Sequence, residues 1–157
     1  MRKRLISHPG DTGSSSCPPW LDVAHVAQVE ITSEDPAFPI EAALCSGRHD
    51  GWRASGPGVQ VIRLVFDQPQ TLHRIRLVFS EEQRQRTQEF VAQWSADGGQ
   101  SYREIVRQQY TFSPPGTIRE VEDYHKHLEG VTDLELRIVP DLQGSDVCAT
   151  LGELRLL

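Results

Sequence analysis

Six side chains in this sequence have the chemistry to hold a ligand without transforming it: Trp52, Arg53, Arg84, Arg86, Tyr110 and Phe112. An Arg guanidinium is a planar fork that engages carboxylates, phosphates or sugar hydroxyls two at a time. An aromatic ring offers a flat apolar face with, for Trp and Tyr, a polar tip. Together they make a surface that stacks one side of a small polar molecule and hydrogen-bonds its rim. Trp52-Arg53 follows a glycine-containing loop. Arg84 and Arg86 stand in the polar run Glu81–Thr87, and Tyr110 and Phe112 lead into Ser113-Pro114-Pro115. If the three loops gather at one end of the molecule, they form one site. The competing expectation is that Trp52 and Tyr110 plug the end of a core, as large aromatics beside strands commonly do.

Catalytic constellations do not emerge. The chain carries no Gly-x-Ser-x-Gly elbow, phosphate loop, His-Glu-x-x-His or EF-hand pattern. Glu81 and Glu82 are adjacent, which in an extended chain sends them to opposite sides, a poor arrangement for paired acid and base work. They read instead as partners of Arg84 or Arg86. Cys45 and His49 lie four apart without an orienting third group. His125-x-His127 shares one face of a strand but has no evident third ligand, so it reads as a solvated strand face. The expectation is therefore a protein that is not an enzyme and uses no metal and no cofactor.

The elements that must position these residues are strands. Ile62, Leu64 and Phe66 alternate with polar neighbours, as do Ile75, Leu77 and Phe79 and then Phe90, Ala92 and Trp94. Asp67-Gln68-Pro69-Gln70 reads as a turn between the first two runs. Asp97-Gly98-Gly99 is a strong hairpin signal. Tyr102–Tyr110, a less regular run over 118–128, Leu134–Ile138 and a last strand holding Leu154 and Leu156, with Glu153 and Arg155 outward, continue the pattern. A first strand is expected near 26–31. Pro39–Leu44 is the one short helix, with proline near its start. About eight strands with frequent turns and almost no helix predict an all-β antiparallel jelly-roll sandwich. Residues 1–18, ending in Gly13-Ser14-Ser15-Ser16-Cys17-Pro18-Pro19, read as a flexible polar leader, leaving 19–157 as a single domain.

Composition narrows the partners. The 157 residues carry a net charge of −6 with 38% hydrophobic residues, and mean hydropathy is −0.43. That charge disfavours general nucleic-acid binding, which depends on neutralising phosphates. Charge is unevenly placed: Arg48 to Arg119 holds ten Arg against seven acids, while the rest is acidic. An Arg-lined site fits this, as does a plain strand face of Arg paired with Glu. No apolar run approaches the roughly 18 residues of a membrane span, and the basic start lacks the apolar stretch of an export signal. Three widely spaced cysteines suit a reducing interior. The expected location is cytoplasmic, away from any membrane.

Five segments occur in order: Pro-Ile-Glu-Ala-Ala-Leu (39–44), Gly-Trp-Arg-Ala-Ser (51–55), the long run 61–79, Phe-Val-Ala-Gln-Trp-Ser-Ala-Asp-Gly-Gly (90–99) and Leu-Gly-Glu-Leu-Arg-Leu-Leu (151–157). In that order they resemble the galactose-binding-domain-like superfamily, which includes discoidin or coagulation-factor C-type (F5/8 type C) domains and family 32 carbohydrate-binding modules. The resemblance spans about Val26 to Leu157. It implies a jelly roll with its ligand loops at one end and a glycan or other small polar molecule as the partner. Many relatives hold a structural calcium after the Ala-Leu pair. Here that stretch is Cys45-Ser46-Gly47-Arg48, with an Arg where a carboxylate would serve. Glu153 alone matches the family's last-strand Glu, so calcium is not expected. Sugar-binding relatives often follow the loop Trp with His; here it is Arg53. A second reading on the same fold is a protein or nucleic-acid interaction domain. The 52–64 segment and the Phe112-Ser113-Pro114 loop loosely resemble the amino-terminal domain of a single-strand-break repair scaffold.

Overall fold

The computed structural model describes residues 20–45 and 50–157. The leader read over 1–18 and the loop residues 46–49 lie outside that range. The chain enters through α1 (Val23–Val26), β1 (Ala27–Ile31) and α2 (Glu41–Leu44), and then becomes strand. β2 (Trp52–Pro57), β3 (Gln60–Ser80), β4 (Arg86–Ser95), β5 (Arg103–Phe112), β6 (Arg119–Val139), β7 (Cys148–Leu151) and β8 (Glu153–Leu156) follow in order.

All pairings are antiparallel. One sheet runs β1-β3-β6-β4-β5, with β8 also paired to β3, and β2 pairs with β7. β3 and β6 are 21 residues each. Their first and second halves serve different layers. The early part of β3, Ile62–Phe66, carries β1 on its other edge, and the late part, Ile75–Val78, carries β8. The apolar members of the alternation meet between the layers: Ile62, Leu64, Leu72, Ile75, Leu77, Phe79, Phe90, Leu136, Ile138, Leu151 and Leu156 are all buried. The result is the expected jelly-roll sandwich.

Four local expectations are corrected. The turn at Asp67–Gln70 does not end a strand. β3 runs on as a bulge, with 66–69 opposite the single residue Thr132 between the pairs Val65↔Asp133 and Gln70↔Val131. Pro69 has no N–H to give a ladder, and a bulge is where that loss is tolerated. In the same way the runs at 118–128 and 134–138 are one strand. A second four-residue helix, α1, precedes β1. Arg155, expected to face outward, is buried. Its guanidinium donates to the carbonyl oxygens of Ala43 at 2.7 Å and Cys45 at 3.1 Å. It thus satisfies the orphan carbonyls at the end of α2.

The hairpin signal is borne out. Gly98 and Gly99 take φ of 75° and 87°, and the Asp97 carboxylate accepts from the Ser101 hydroxyl, the Ser95 hydroxyl and the Ser101 N–H. Those donors hold its pKa down at about 2. Trp94 is less buried than expected, half-exposed under the Arg103 guanidinium 5.8 Å from its ring.

Candidate functional site

β2 and β7 build one wall of the site. Along β7, Ala149 and Leu151 point into the core while Cys148 and Thr150 face out. Across the ladder, Trp52 pairs with Leu151 and Arg53 with Thr150. Arg53 therefore sits beside Thr150 on the outer face. A second wall comes from the segment leaving β3, Ser80 to Arg84. Thr150 donates its hydroxyl to the Ser80 carbonyl at 3.3 Å, tying the two walls together. Between them lies an open polar concavity of about 640 Å³, lined by Asp50, Trp52, Arg53, Ser80–Arg84 and residues from Asp146 to Gly152.

Of the six side chains with ligand-binding chemistry, two reach this concavity with exposed guanidinium groups. Arg53 is exposed, and its guanidinium lies 4.4 Å over the Phe38 ring. Its backbone is fixed by an N–H to the Phe38 carbonyl and a carbonyl to the Asp35 N–H. Arg84 is exposed and donates from Nη1 to Asp146 Oδ1 at 2.6 Å. That hydrogen bond holds the Asp146 carboxyl below the usual carboxylate range. The concavity thus presents Arg and carboxylate groups side by side, a set suited to hydroxyls, which both donate and accept.

The other four expectations place differently. Trp52 lies beneath the floor at 1% exposure, its Nε1 donating to the Ser33 carbonyl at 3.1 Å. Phe112 is 0% exposed. Tyr110 is half-buried, edge-on to Phe112 with centroids 4.9 Å apart and its hydroxyl donating to the Arg119 carbonyl. Arg86 is 3% exposed. It donates to Glu81 at 2.8 Å, to the Pro140 carbonyl at 2.7 Å and to Gln88 at 3.2 Å, and lies over the Phe112 ring. In this structure Trp52, Arg86 and Phe112 are therefore core residues, not surface contacts. The physical reason is register. Arg86 sits opposite Phe112 in the β4–β5 ladder, and the inward side of that ladder belongs to the sandwich interior. Arg86 still bears on the site, because its partner Glu81 lines the concavity.

Other arginines behave as the Arg–acid strand face foreseen as an alternative. Arg63 pairs with Glu135, Arg74 with Asp123 and Arg107 with Glu89. Sequence reading missed Glu82, Asp146, Cys148 and Thr150. The alternation Cys148-Ala149-Thr150-Leu151 is short, but it is a period-two signal that marks the outward pair.

Gly51 sets the entry to β2. Its φ is 71°, and a Cβ there would stand 2.7 Å from the Leu151 carbonyl oxygen. Both the left-handed backbone and the close approach exclude a side chain. Gly51→Ala is expected to lower stability by about 2–3 kcal/mol and to splay β2 from β7. Urea unfolding measures the first effect and amide exchange at Thr150 and Leu151 the second.

A calcium ion of the kind many relatives carry does not fit the residues described. The Ala43 and Cys45 carbonyls already accept from Arg155, and Glu153 stands 3.8 Å from that guanidinium and 3.5 Å from Arg76. Among the described residues no cluster of three or more His, Cys, Asp or Glu is placed to hold a metal.

No family model and no curated protein sequence matches the chain. Solved structures do match. A family 32 carbohydrate-binding module of Clostridium perfringens NanJ, in complex with galactose, superposes with a TM-score of 0.63 at 10% identity, covering 87% of this chain and 96% of that one. The family 32 module of AlyQ, in complex with 4,5-unsaturated mannuronic acid, gives 0.60 at 16% identity, covering 84% and 95%. A further Clostridium perfringens module, in complex with GalNAc-β-1,3-galactose, gives 0.63 at 14% identity, covering 88% and 99%. Identities this low speak to architecture alone, and in architecture the chain is an antiparallel β-sandwich similar to those of the family 32 modules.

Proposed function

We propose that the protein is a non-catalytic module that binds a neutral saccharide in the concavity between β7 and the Ser80–Arg84 segment. The observation that carries this reading is the convergence of Arg53 and Arg84 on one open polar concavity. Four acids, Asp50, Glu81, Glu82 and Asp146, line the same space. A carboxylated ligand would meet repulsion from them, whereas a sugar hydroxyl can accept from Arg84 and donate to Asp146 in the same geometry. The match to structures solved with galactose or galactose-containing sugars supports the ligand class.

The site differs from an aromatic-platform sugar site. Trp52 is the one aromatic among the described lining residues, and it is nearly fully covered. Binding energy would rest on charge-assisted hydrogen bonds, each worth about 1.5–3 kcal/mol. Arg53→Ala and Arg84→Ala are each expected to weaken saccharide binding by about tenfold or more, since about 1.4 kcal/mol is a factor of ten. A glycan array followed by calorimetry on the best ligand tests this. The reading fails if the wild-type protein binds no saccharide, or if both variants bind as well as wild type.

A further inference from the structure

Seven residues back along β3 from Ser80, about 23 Å at strand rise, two imidazoles face one another. His73 Nδ1 and His127 Nδ1 are 3.2 Å apart, with ring centroids 5.0 Å apart and the planes tilted by 41°. We propose that His73 and His127 form an open two-imidazole site for a borderline divalent transition cation such as Zn²⁺ or Ni²⁺.

The pairing is a product of backbone register. β3 and β6 pair Leu72 with Leu128 and Arg74 with His125. Between those pairs β3 has one residue, His73, and β6 has two, Lys126 and His127. This is a bulge, and bulges re-aim side chains. Without it, His127 would share its face with His125, the pair visible in the sequence. With it, the partner of His127 is His73, while His125 lies across from Arg74, whose guanidinium is bound to Asp123 at 2.6 Å. The expectation of no metal rested on the poor ligand set around His125-x-His127, and the bulge exchanges that set for a better one.

The geometry suits an ion. Two imidazole nitrogens bound at about 2.0–2.1 Å to one tetrahedral ion lie about 3.3–3.4 Å from each other. The observed separation is already close to that edge, so binding needs little rearrangement. The tautomer is also prepared. Glu129 Oε1 lies 2.8 Å from His127 Nε2, so the carboxylate accepts the Nε2–H and leaves the lone pair on Nδ1, facing His73. A carboxylate on the far ring nitrogen is the usual support for a metal-bound His. In the ion's absence the His73 Nδ1–H donates to that lone pair. On binding, the His73 proton moves to Nε2 by tautomer exchange through solvent, and both Nδ1 lone pairs face the ion with no net loss of a proton. His127 is 59% exposed at its side chain and His73 is exposed too. The ion enters directly, and water fills its remaining positions. Two protein ligands make an exchangeable site, unlike a closed four-ligand structural centre.

The test uses the full chain titrated with ZnCl₂ and, separately, NiCl₂, read by calorimetry and by long-range nitrogen–proton spectra of the histidine rings. The expected result is one saturable site, with the His73 and His127 rings shifting together on Zn²⁺. His73→Ala and His127→Ala are each expected to weaken binding by at least tenfold, and His125→Ala to leave it unchanged. Both positions are exposed, and thermal melting of each variant shows whether it is folded. The proposal is overturned if neither ring responds to millimolar ion, or if binding survives in either folded variant. Because the site is remote from Arg53 and Arg84, its failure leaves the saccharide reading intact.

Discussion

Arg86→Met is expected to lower stability by about 3–5 kcal/mol, the range for breaking one side of a buried, hydrogen-bonded charge pair. The guanidinium ties three segments together: Glu81 ahead of β4, Gln88 within it and the Pro140 carbonyl after β6. A methionine would fill the volume over Phe112 but leave all three acceptors without their donor. Glu81 would feel it most. Burial alone would raise its pKa, and it is the Gln83 N–H and the Arg86 guanidinium that together hold it below the ordinary carboxylate value. A depressed carboxylate contributes stability above its unfolded pKa, and that contribution is lost as pH falls through the folded value. The deficit of the variant should therefore be largest near neutral pH and shrink in acid. Urea unfolding at pH 7 and pH 4 measures both. A deficit under 1 kcal/mol, about the worth of an exposed pair, would contradict the structural role assigned to Arg86.

Glu120→Gln is expected to act in the opposite direction. Glu120 is 2% exposed. Its Oε1 accepts from Gln88 at 3.3 Å, while its Oε2 has no hydrogen-bond partner among the described residues. Burial, and then the neighbouring Glu122 carboxyl, push its pKa up to about 8. Glu122 in turn accepts from the Tyr124 hydroxyl at 2.7 Å. For a group whose folded pKa is raised, the stabilising contribution is complete below the unfolded value and lost as pH climbs through the folded one. The ordinary glutamate value is 4.5, so wild-type stability should decline from about pH 4.5 to pH 8. An amide cannot ionise and can donate to Glu122. The variant should show a flatter profile and exceed wild type at pH 9 by about 2–4 kcal/mol, given 1.36 kcal/mol for each pKa unit. Equal pH profiles for the two proteins would sink the account.

The two variants explain why the fold was readable in the sequence and the site only partly so. Periodicity is a statement about faces. Ile62-x-Leu64-x-Phe66 and Phe90-x-Ala92 announce their buried side, and Asp97-Gly98-Gly99 announces its turn. Arg53 and Arg84 were also legible, as polar residues beside loops. Arg86 was not distinguishable from Arg84. They are two apart in one polar run, yet one lies in the interior and the other in solvent, and the difference is set by the pairing of Arg86 with Phe112 across β5. Arg155 is hidden in the same manner, since its partners are carbonyls 110 and 112 residues away. Long-range register, which no local pattern encodes, decides each of these cases. The β3 bulge that brings His73 to His127 belongs to the same class.

The most direct measurement of the central claim is an amide and guanidinium chemical-shift titration of the full chain with the saccharide that ranks highest on the array. The predicted result is saturable shifts concentrated at Arg53, Arg84, Asp146 and Thr150, with the amides around Tyr110 and Phe112 unmoved. Shifts centred on Tyr110 and Phe112 instead, or no saturable shift for any array-positive saccharide, would contradict the assignment of the concavity as the binding site.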